Sequence, residues 1–173
     1  MLVLQHVDDA STMLNYPMDK DYQTWDGIAD QVSILATKLK DEKFDLMMVI
    51  TRGGMIPGSI LGYRLGIRNI VVAAVEFYDD RTGLRAVQPT FLQFPADPIL
   101  TGKRVLIVDE VWDSGRTIQA VATRVHQAGG TPITAVLHYK PRMSETALEP
   151  DYYVLATNAW IVYPWSKHDK LDA

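Results

Sequence analysis

The 173-residue chain contains no cysteine. That removes disulfides, thiolate nucleophiles and Cys-based zinc or iron–sulfur sites. Basic charge is also in short supply. Lys and Arg number 17 against 21 Asp and Glu, a formal net charge of −4, so nothing draws the whole molecule to nucleic acid or anionic lipid. Any polyanion must be held by a local site. The longest apolar stretches, Leu46 to Ile50 and Ile70 to Val75, are far too short to span a bilayer. The start, Met1 to His6, has no basic segment and runs into Asp8 and Asp9, unlike a secretion signal. A cytoplasmic protein with no membrane partner is expected.

What is present is the composition of an ordinary globular protein, 47% hydrophobic and 22% charged. The length suits one domain with its own core. Residues 1–20 have no clear periodicity and are taken as an N-terminal extension, leaving 21–173 as a single domain. From Asp26 to Lys40, the apolar positions Ile28, Val32, Leu35 and Leu39 recur at helical spacing, with Thr24 or Asp26 as the cap. Phe44 to Ile50 reads as a strand. Pro57 and Gly66 bracket a helix over 57–65. Ile70 to Val75 is β-branched and continuous, as in a strand covered on both faces. Residues 79–103, punctuated by Gly83, Pro89, Pro95, Pro98 and Gly102, read as a long excursion.

Val105 to Val108 is the clearest buried strand. A loop from Asp109 to Arg116 and a helix from Thr117 to Ala128 follow, the helix ended by Gly129 and Gly130. Ile133 to Tyr139 and Tyr152 to Ala156 are further strands. Strands alternating with helices predict an α/β fold, a mainly parallel twisted sheet flanked by helices. Ligands in such sheets sit beyond the carboxyl ends of the strands. Thr51, Asp109 and Lys140 each fall just after a predicted strand.

The segment from Val105 to Thr117 carries the most chemistry. Four apolar residues end in Asp109 and Glu110, with Asp113 close behind and then Ser114-Gly115-Arg116-Thr117. Bunched carboxylates need a cation or hydroxyl donors. The turn presents backbone N–H groups and two hydroxyls at a helix N-terminus, which suits a phosphate. A sugar phosphate fits both demands. In Thr51-Arg52-Gly53-Gly54, paired glycines let amides approach an anion, and Arg52 adds charge. Ile56, Pro57 and Ser59 leave no Lys where a Walker motif needs one, which excludes the NTPase reading. Lys140, with Trp160-Ile161 and Tyr163-Pro164-Trp165 downstream, offers a cationic donor and an aromatic face for a flat base. The four histidines, His6, His126, His138 and His168, show no metal-ligand spacing, and none is assigned a catalytic role.

The order of apolar strand, two acids, two spacers, Asp, Ser, Gly, any residue and Thr resembles the phosphoribosyl-pyrophosphate (PRPP) signature of type I phosphoribosyltransferases. Bulky Trp112 and Arg116 depart from the usual pattern without disturbing the backbone cradle. Thr24-Trp25-Asp26, Arg52-Gly53-Gly54, Tyr78-Asp79, Lys140-Pro141, Asp151-Tyr-Tyr-Val154, Trp160-Ile161 and Pro164-Trp165 are similar to the 6-oxopurine branch, the bacterial xanthine-guanine phosphoribosyltransferases. The resemblance runs from about Tyr22 to Trp165. It implies a Rossmann-like core with a small hood from the C-terminal segment.

It also implies transfer of the phosphoribosyl group of PRPP to guanine, xanthine or hypoxanthine, releasing pyrophosphate and a nucleoside monophosphate. In that reading Asp109 and Glu110 hold the ribose hydroxyls and Mg²⁺, mainly through water. Asp113 is the acid/base. Residues Asp113, Ser114, Gly115, Arg116 and Thr117 bind the 5′-phosphate, and Thr51, Arg52, Gly53 and Gly54 the pyrophosphate. Lys140, Trp160 and Ile161 bind the purine, and Tyr78 with 79–103 closes over the site. A homo-dimer or homo-tetramer is implied. Two alternatives stand beside it. One is another base, adenine or orotate. The other is a PRPP-sensing regulator that binds nucleic acid, which would need a basic face that a net charge of −4 does not suggest.

Overall fold

The fold was obtained as a computed structural model, which describes residues 20–78 and 85–166. Twelve elements follow in order: β1 (Lys20–Tyr22), α1 (Trp25–Leu39), β2 (Leu46–Ile50), α2 (Met55–Leu65), β3 (Ile70–Tyr78), β4 (Arg85–Gln93), α3 (Asp97–Leu100), β5 (Arg104–Trp112), α4 (Arg116–Gln127), β6 (Thr131–Tyr139), β7 (Tyr152–Ala156) and β8 (Trp160–Val162).

β2 and β5 are continuous apolar runs because both of their faces are covered. On β2, Leu46, Met48 and Ile50 join Val105, Ile107, Ile118, Val121 and Val125 in one buried layer, under α4. The alternate residues Met47 and Val49 join Ile28, Val32, Leu35, Leu39 and Leu61 in the other, under α1 and α2. Successive side chains on a strand point to opposite faces, so a sandwiched strand must be apolar at every position. The Thr24 hydroxyl caps α1, accepting from the Gly27 amide at 3.1 Å. Gly66 ends α2 in the left-handed region at φ 68°, as its position after the apolar run predicts.

The six-stranded sheet has the order β4-β3-β2-β5-β6-β7. Every pairing is parallel except β3 with β4. A second, two-stranded parallel sheet pairs β1 with β8, Lys20 opposite Trp160 and Tyr22 opposite Val162. The small hood is therefore built from both ends of the described chain, and Lys20 is already part of it. Residues 1–19, the rest of the expected extension, lie outside the described residues.

Three expectations about elements change. The 79–103 excursion contains β4 and the short helix α3. Pro89 hides the strand because proline cannot donate to a ladder, yet β4 is the terminal strand of the sheet, where such a gap is tolerated. Residues 79–84 lie outside the described residues. The expected loop from Asp109 is instead a continuation of β5 to Trp112, held by pairing of Val111 with His138 and Trp112 with Tyr139. Finally, α2 begins at Met55 rather than Pro57. Proline is still within the first turn, where its missing N–H costs nothing.

Candidate active site

The carboxyl ends of β2, β5 and β6 deliver the polar residues to one edge of the sheet. At the end of β2, the Thr51 amide donates to the Ala73 carbonyl at 2.9 Å, and the Gly54 amide to the Ile50 carbonyl at 2.9 Å. The Thr51–Arg52 peptide is cis. The loop packs so tightly on β5 that a Cβ at Gly53 would collide with the Glu110 side chain, and one at Gly54 with the Val108 carbonyl. Glycine is required there by close approach.

Asp109 and Glu110 project from β5 beside this loop. The Asp109 carboxylate accepts from the Glu110 amide at 2.8 Å. Burial, reinforced by the adjacent Glu110 charge, holds the Asp109 carboxyl well above the usual carboxylate range, against the opposing pull of the Glu110 and Gly54 amides. The Glu110 carboxylate accepts from the Trp165 indole N–H at 2.8 Å, and its carbonyl from the Tyr163 hydroxyl at 3.1 Å.

Beyond β5 the chain turns through Ser114 and Gly115 into α4. Gly115 is the N-cap, at φ 79°, and offers no side chain to close off the first-turn amides. A Cβ at Gly115 would run into the Trp112 indole, which is 2% exposed and lies beneath the turn. The Trp112 indole N–H donates to the Ser144 hydroxyl at 3.3 Å, and the Glu145 amide to the Ser114 carbonyl at 2.9 Å. The tryptophan that departs from the usual signature therefore supports the cradle from below. The Arg116 guanidinium lies over the Phe77 ring, 4.4 Å from its centre, and 3.9 Å from Glu145. It lines a groove with Phe77, Gln88, Pro89 and Phe91, while its backbone stays at the start of α4.

At the end of β6, Lys140 is buried. Its ammonium stands 3.5 Å from the Asp113 carboxylate and 5.5 Å from the centre of the Trp160 ring.

Two cavities occupy this edge. One, of about 590 Å³, is lined by Thr51, Arg52, Gly53, Asp109, Glu110 and Thr117 among others. The second, of about 390 Å³, is lined by Asp113, Lys140, Trp160 and Ile161 among others. Glu110, Val111 and Ser166 line both. A larger cleft of about 870 Å³ opens elsewhere, bordered by Lys40, Glu42, Arg64, Arg68 and Arg104. It contains none of the strand-end acids or the glycine loop, and it lies at the amino ends of β2 and β5, the wrong end of a parallel sheet for a ligand.

Residues 19–170 match the phosphoribosyl transferase domain. This chain belongs to the phosphoribosyltransferase family. It is 34% identical over 146 residues to a xanthine-guanine phosphoribosyltransferase of Gluconobacter oxydans (strain 621H), a match covering 82% of each chain. Among solved structures it is similar to a purine phosphoribosyltransferase from Pyrococcus horikoshii Ot3, at 36% identity and TM-score 0.77, covering 90% of this chain and 100% of the other. It is also similar to a protein from Neisseria gonorrhoeae with bound ppGpp, at 31% identity and TM-score 0.76, covering 91% and 93%.

In this phosphoribosyltransferase, the fold brings Thr51, Arg52, Gly53, Asp109, Glu110 and Thr117 to one cavity and Asp113, Lys140, Trp160 and Ile161 to its neighbour. Tyr78 is the last residue of β3, and its side chain lies outside what is described. The sequence offered Tyr163 and Trp165 only as part of an aromatic face downstream of Lys140, and gave no role to Ser166 or Val111. The aromatic pair was visible as a motif, but nothing in the order of residues says that it bonds to an acid some 50 positions earlier. Among the described residues no group of three or more His, Asp or Glu could hold a metal ion, and no helix is long and apolar enough to cross a membrane.

Proposed function

We propose that this chain transfers the 5-phosphoribosyl group of PRPP to a 6-oxopurine, releasing pyrophosphate and a nucleoside 5′-monophosphate. The observation that carries the reading is the pair of adjoining cavities. One has a glycine loop, two acids and a helix start; the other has a buried lysine beside an exposed indole. A transfer reaction needs both substrates bound with their reacting atoms adjacent.

A purine nitrogen forms a bond to the anomeric carbon of PRPP as the bond from that carbon to pyrophosphate breaks. The amides of Thr51 to Gly54, with Arg52, receive the pyrophosphate. Asp113, Ser114, Gly115, Arg116 and Thr117 contribute backbone and hydroxyl donors to the 5′-phosphate. Asp109 and Glu110 accept from the ribose hydroxyls and place negative charge beside the developing cationic ring. Asp113 takes the imidazole proton as the nucleophile develops.

Lys140 faces the purine 6-position. A carbonyl oxygen accepts from an ammonium, whereas an exocyclic amino group points its own donors at it, which disfavours adenine. Trp160 and Ile161 pack on the ring, and Tyr78 belongs to the segment that closes the site. The exposure of Tyr63 (90%) and Met55 (50%) on α2 supports assembly as a homo-dimer or homo-tetramer, and the composition supports a cytoplasmic location.

Asp109 and Glu110 offer only oxygen donors, and a cation beside them would favour the ionised form of the Asp109 carboxyl, which burial first and the Glu110 charge second hold above the usual range. Two carboxylates suit Mg²⁺, which keeps several waters and takes its remaining ligands from substrate phosphates. When bound, Mg²⁺ would neutralise charge on the departing pyrophosphate.

Pyrophosphate release with PRPP, Mg²⁺ and each of guanine, xanthine, hypoxanthine, adenine and orotate tests the reading. Turnover of one or more of the first three is expected. Turnover of adenine or orotate alone would overturn the substrate class. No turnover with any base, together with tight RNA or DNA binding, would favour the regulator.

A further inference from the structure

Glu110 is held at both ends by residues to which the reaction above gives no part. Its carbonyl accepts from the Tyr163 hydroxyl at 3.1 Å, and its carboxylate from the Trp165 indole N–H at 2.8 Å. The Tyr163 and Trp165 rings are stacked, 4.8 Å between centres and 11° between planes, and Trp25 lies against Trp165 at 5.8 Å. The Tyr163 hydroxyl is also 2.9 Å from Nδ1 of His138, which is fully buried on β6.

A phenol has one proton to donate. If the Tyr163 hydroxyl donates to the Glu110 carbonyl, it must accept from His138, so Nδ1 carries a proton, and burial of the ring favours the neutral form. Nε2 is then an acceptor, buried and without a hydrogen-bond partner among the described residues. A buried polar atom left unsatisfied costs free energy, so the pair is not the cheapest way to fill this space. It does set one direction for the Tyr163 proton, and that direction is toward Glu110.

We propose that Trp165 and the His138–Tyr163 pair are positioning residues that hold Glu110 in the wall shared by the two cavities. The inference rests on the reading of the larger cavity as the PRPP site. A glutamate in a strand end loses rotamer freedom when it is ordered on a ligand. Here that ordering precedes the ligand. The space for the held carboxylate is the one that Gly53 leaves open, since a Cβ there would strike it. A carboxylate has about four acceptor sites, so the indole bond leaves it able to receive a ribose hydroxyl. Stacking on Tyr163 fixes the indole in turn, so the acid is aligned with the segment that borders the base cavity.

Trp165→Phe tests this directly, because it keeps an aromatic ring and removes the N–H. Steady-state kinetics with a 6-oxopurine are expected to show KM for PRPP raised roughly tenfold or more, the loss of one charge-assisted hydrogen bond. KM for the base should stay within about twofold, since Trp165 borders only the larger cavity. Tyr163→Phe carries the same test if Trp165→Phe does not fold. It should raise KM for PRPP several-fold, and adding His138→Leu, which pairs the phenyl ring with an apolar neighbour, should recover thermal stability without recovering that KM.

An unchanged KM for PRPP in a folded variant overturns the proposal. So does an equal rise in both KM values, or recovery of KM along with stability. Wild-type protein that turns over no base with PRPP would instead sink the proposed function, a result separate from any of these.

Discussion

Lys140 and Asp113 stand 3.5 Å apart at the smaller of the two cavities, with the lysine side chain 6% exposed and the aspartate 49%. A buried ammonium needs a counter-charge, and Asp113 provides it from the solvent side. The same contact ties the residue proposed to read the base to the residue proposed to move its proton. Lys140→Met keeps most of the side chain's length and removes the donor. It should raise KM for the 6-oxopurine by roughly ten- to a hundredfold while leaving KM for PRPP within about threefold. Initial rates with each substrate varied in turn would check the split. A change confined to PRPP would remove Lys140 from the base site.

Asp113→Asn retains the shape and a hydrogen-bonding group but cannot take a proton. If Asp113 is the acid/base, kcat should fall roughly 10²–10⁴-fold. Single-turnover rates, which isolate chemistry from product release, provide the measurement. A near wild-type rate would leave the residue only a binding role.

Gly115 combines φ 79° with direct contact on the Trp112 indole. Alanine there must adopt a left-handed backbone and displace a buried ring. A loss of stability of roughly 1–3 kcal/mol is expected, with weaker binding of ribose 5-phosphate as the cradle shifts. Urea unfolding and calorimetric titration would report the two effects separately. Gly102, also at positive φ (71°), has nothing among the described residues within 4 Å of where a Cβ would stand, so alanine there should show the backbone cost alone.

His138 should make the fold sensitive to mild acid. Burial, and secondarily the nearby Lys140 charge, lower its pKa from 6.5 to about 4, against the opposing pull of Asp21. A base with a depressed folded pKa binds its proton more readily when unfolded. Stability from this group is therefore complete above pH 6.5 and is lost as the pH falls toward 4, by about 3 kcal/mol in all. In His138→Phe that loss should vanish. The stability difference between wild type and variant, followed by urea unfolding from pH 7 to 4, should move against the wild type as the pH drops. A constant difference would show that His138 does not titrate in this window.

Much of the fold was legible because burial on two faces writes itself into the residues. Met47, Met48, Val49 and Ile50, or Val105 to Val108, can only be sandwiched strands, and Ile28, Val32, Leu35 and Leu39 mark the face of α1 that covers them. Pro89 concealed β4, since local chemistry argues against a strand that only its place at the edge of the sheet permits. Asp109 and Glu110 looked like the start of a loop, because polarity signals solvent. They are strand residues whose pairing partner, β6, lies more than 20 positions away.

The order of residues was enough to single out the acids, the glycine loop and the helix-start turn, because each is a local pattern with its own chemistry, whereas Lys140 and Trp160 were paired through the family resemblance. It could not show that Trp165 bonds to Glu110, that Tyr163 joins His138 to the same acid, or that β1 closes the hood on β8. Those contacts join segments far apart in the chain. Hydrogen bonds and ring stacking depend on distances of a few ångströms, and only the folded backbone brings such distant groups that close.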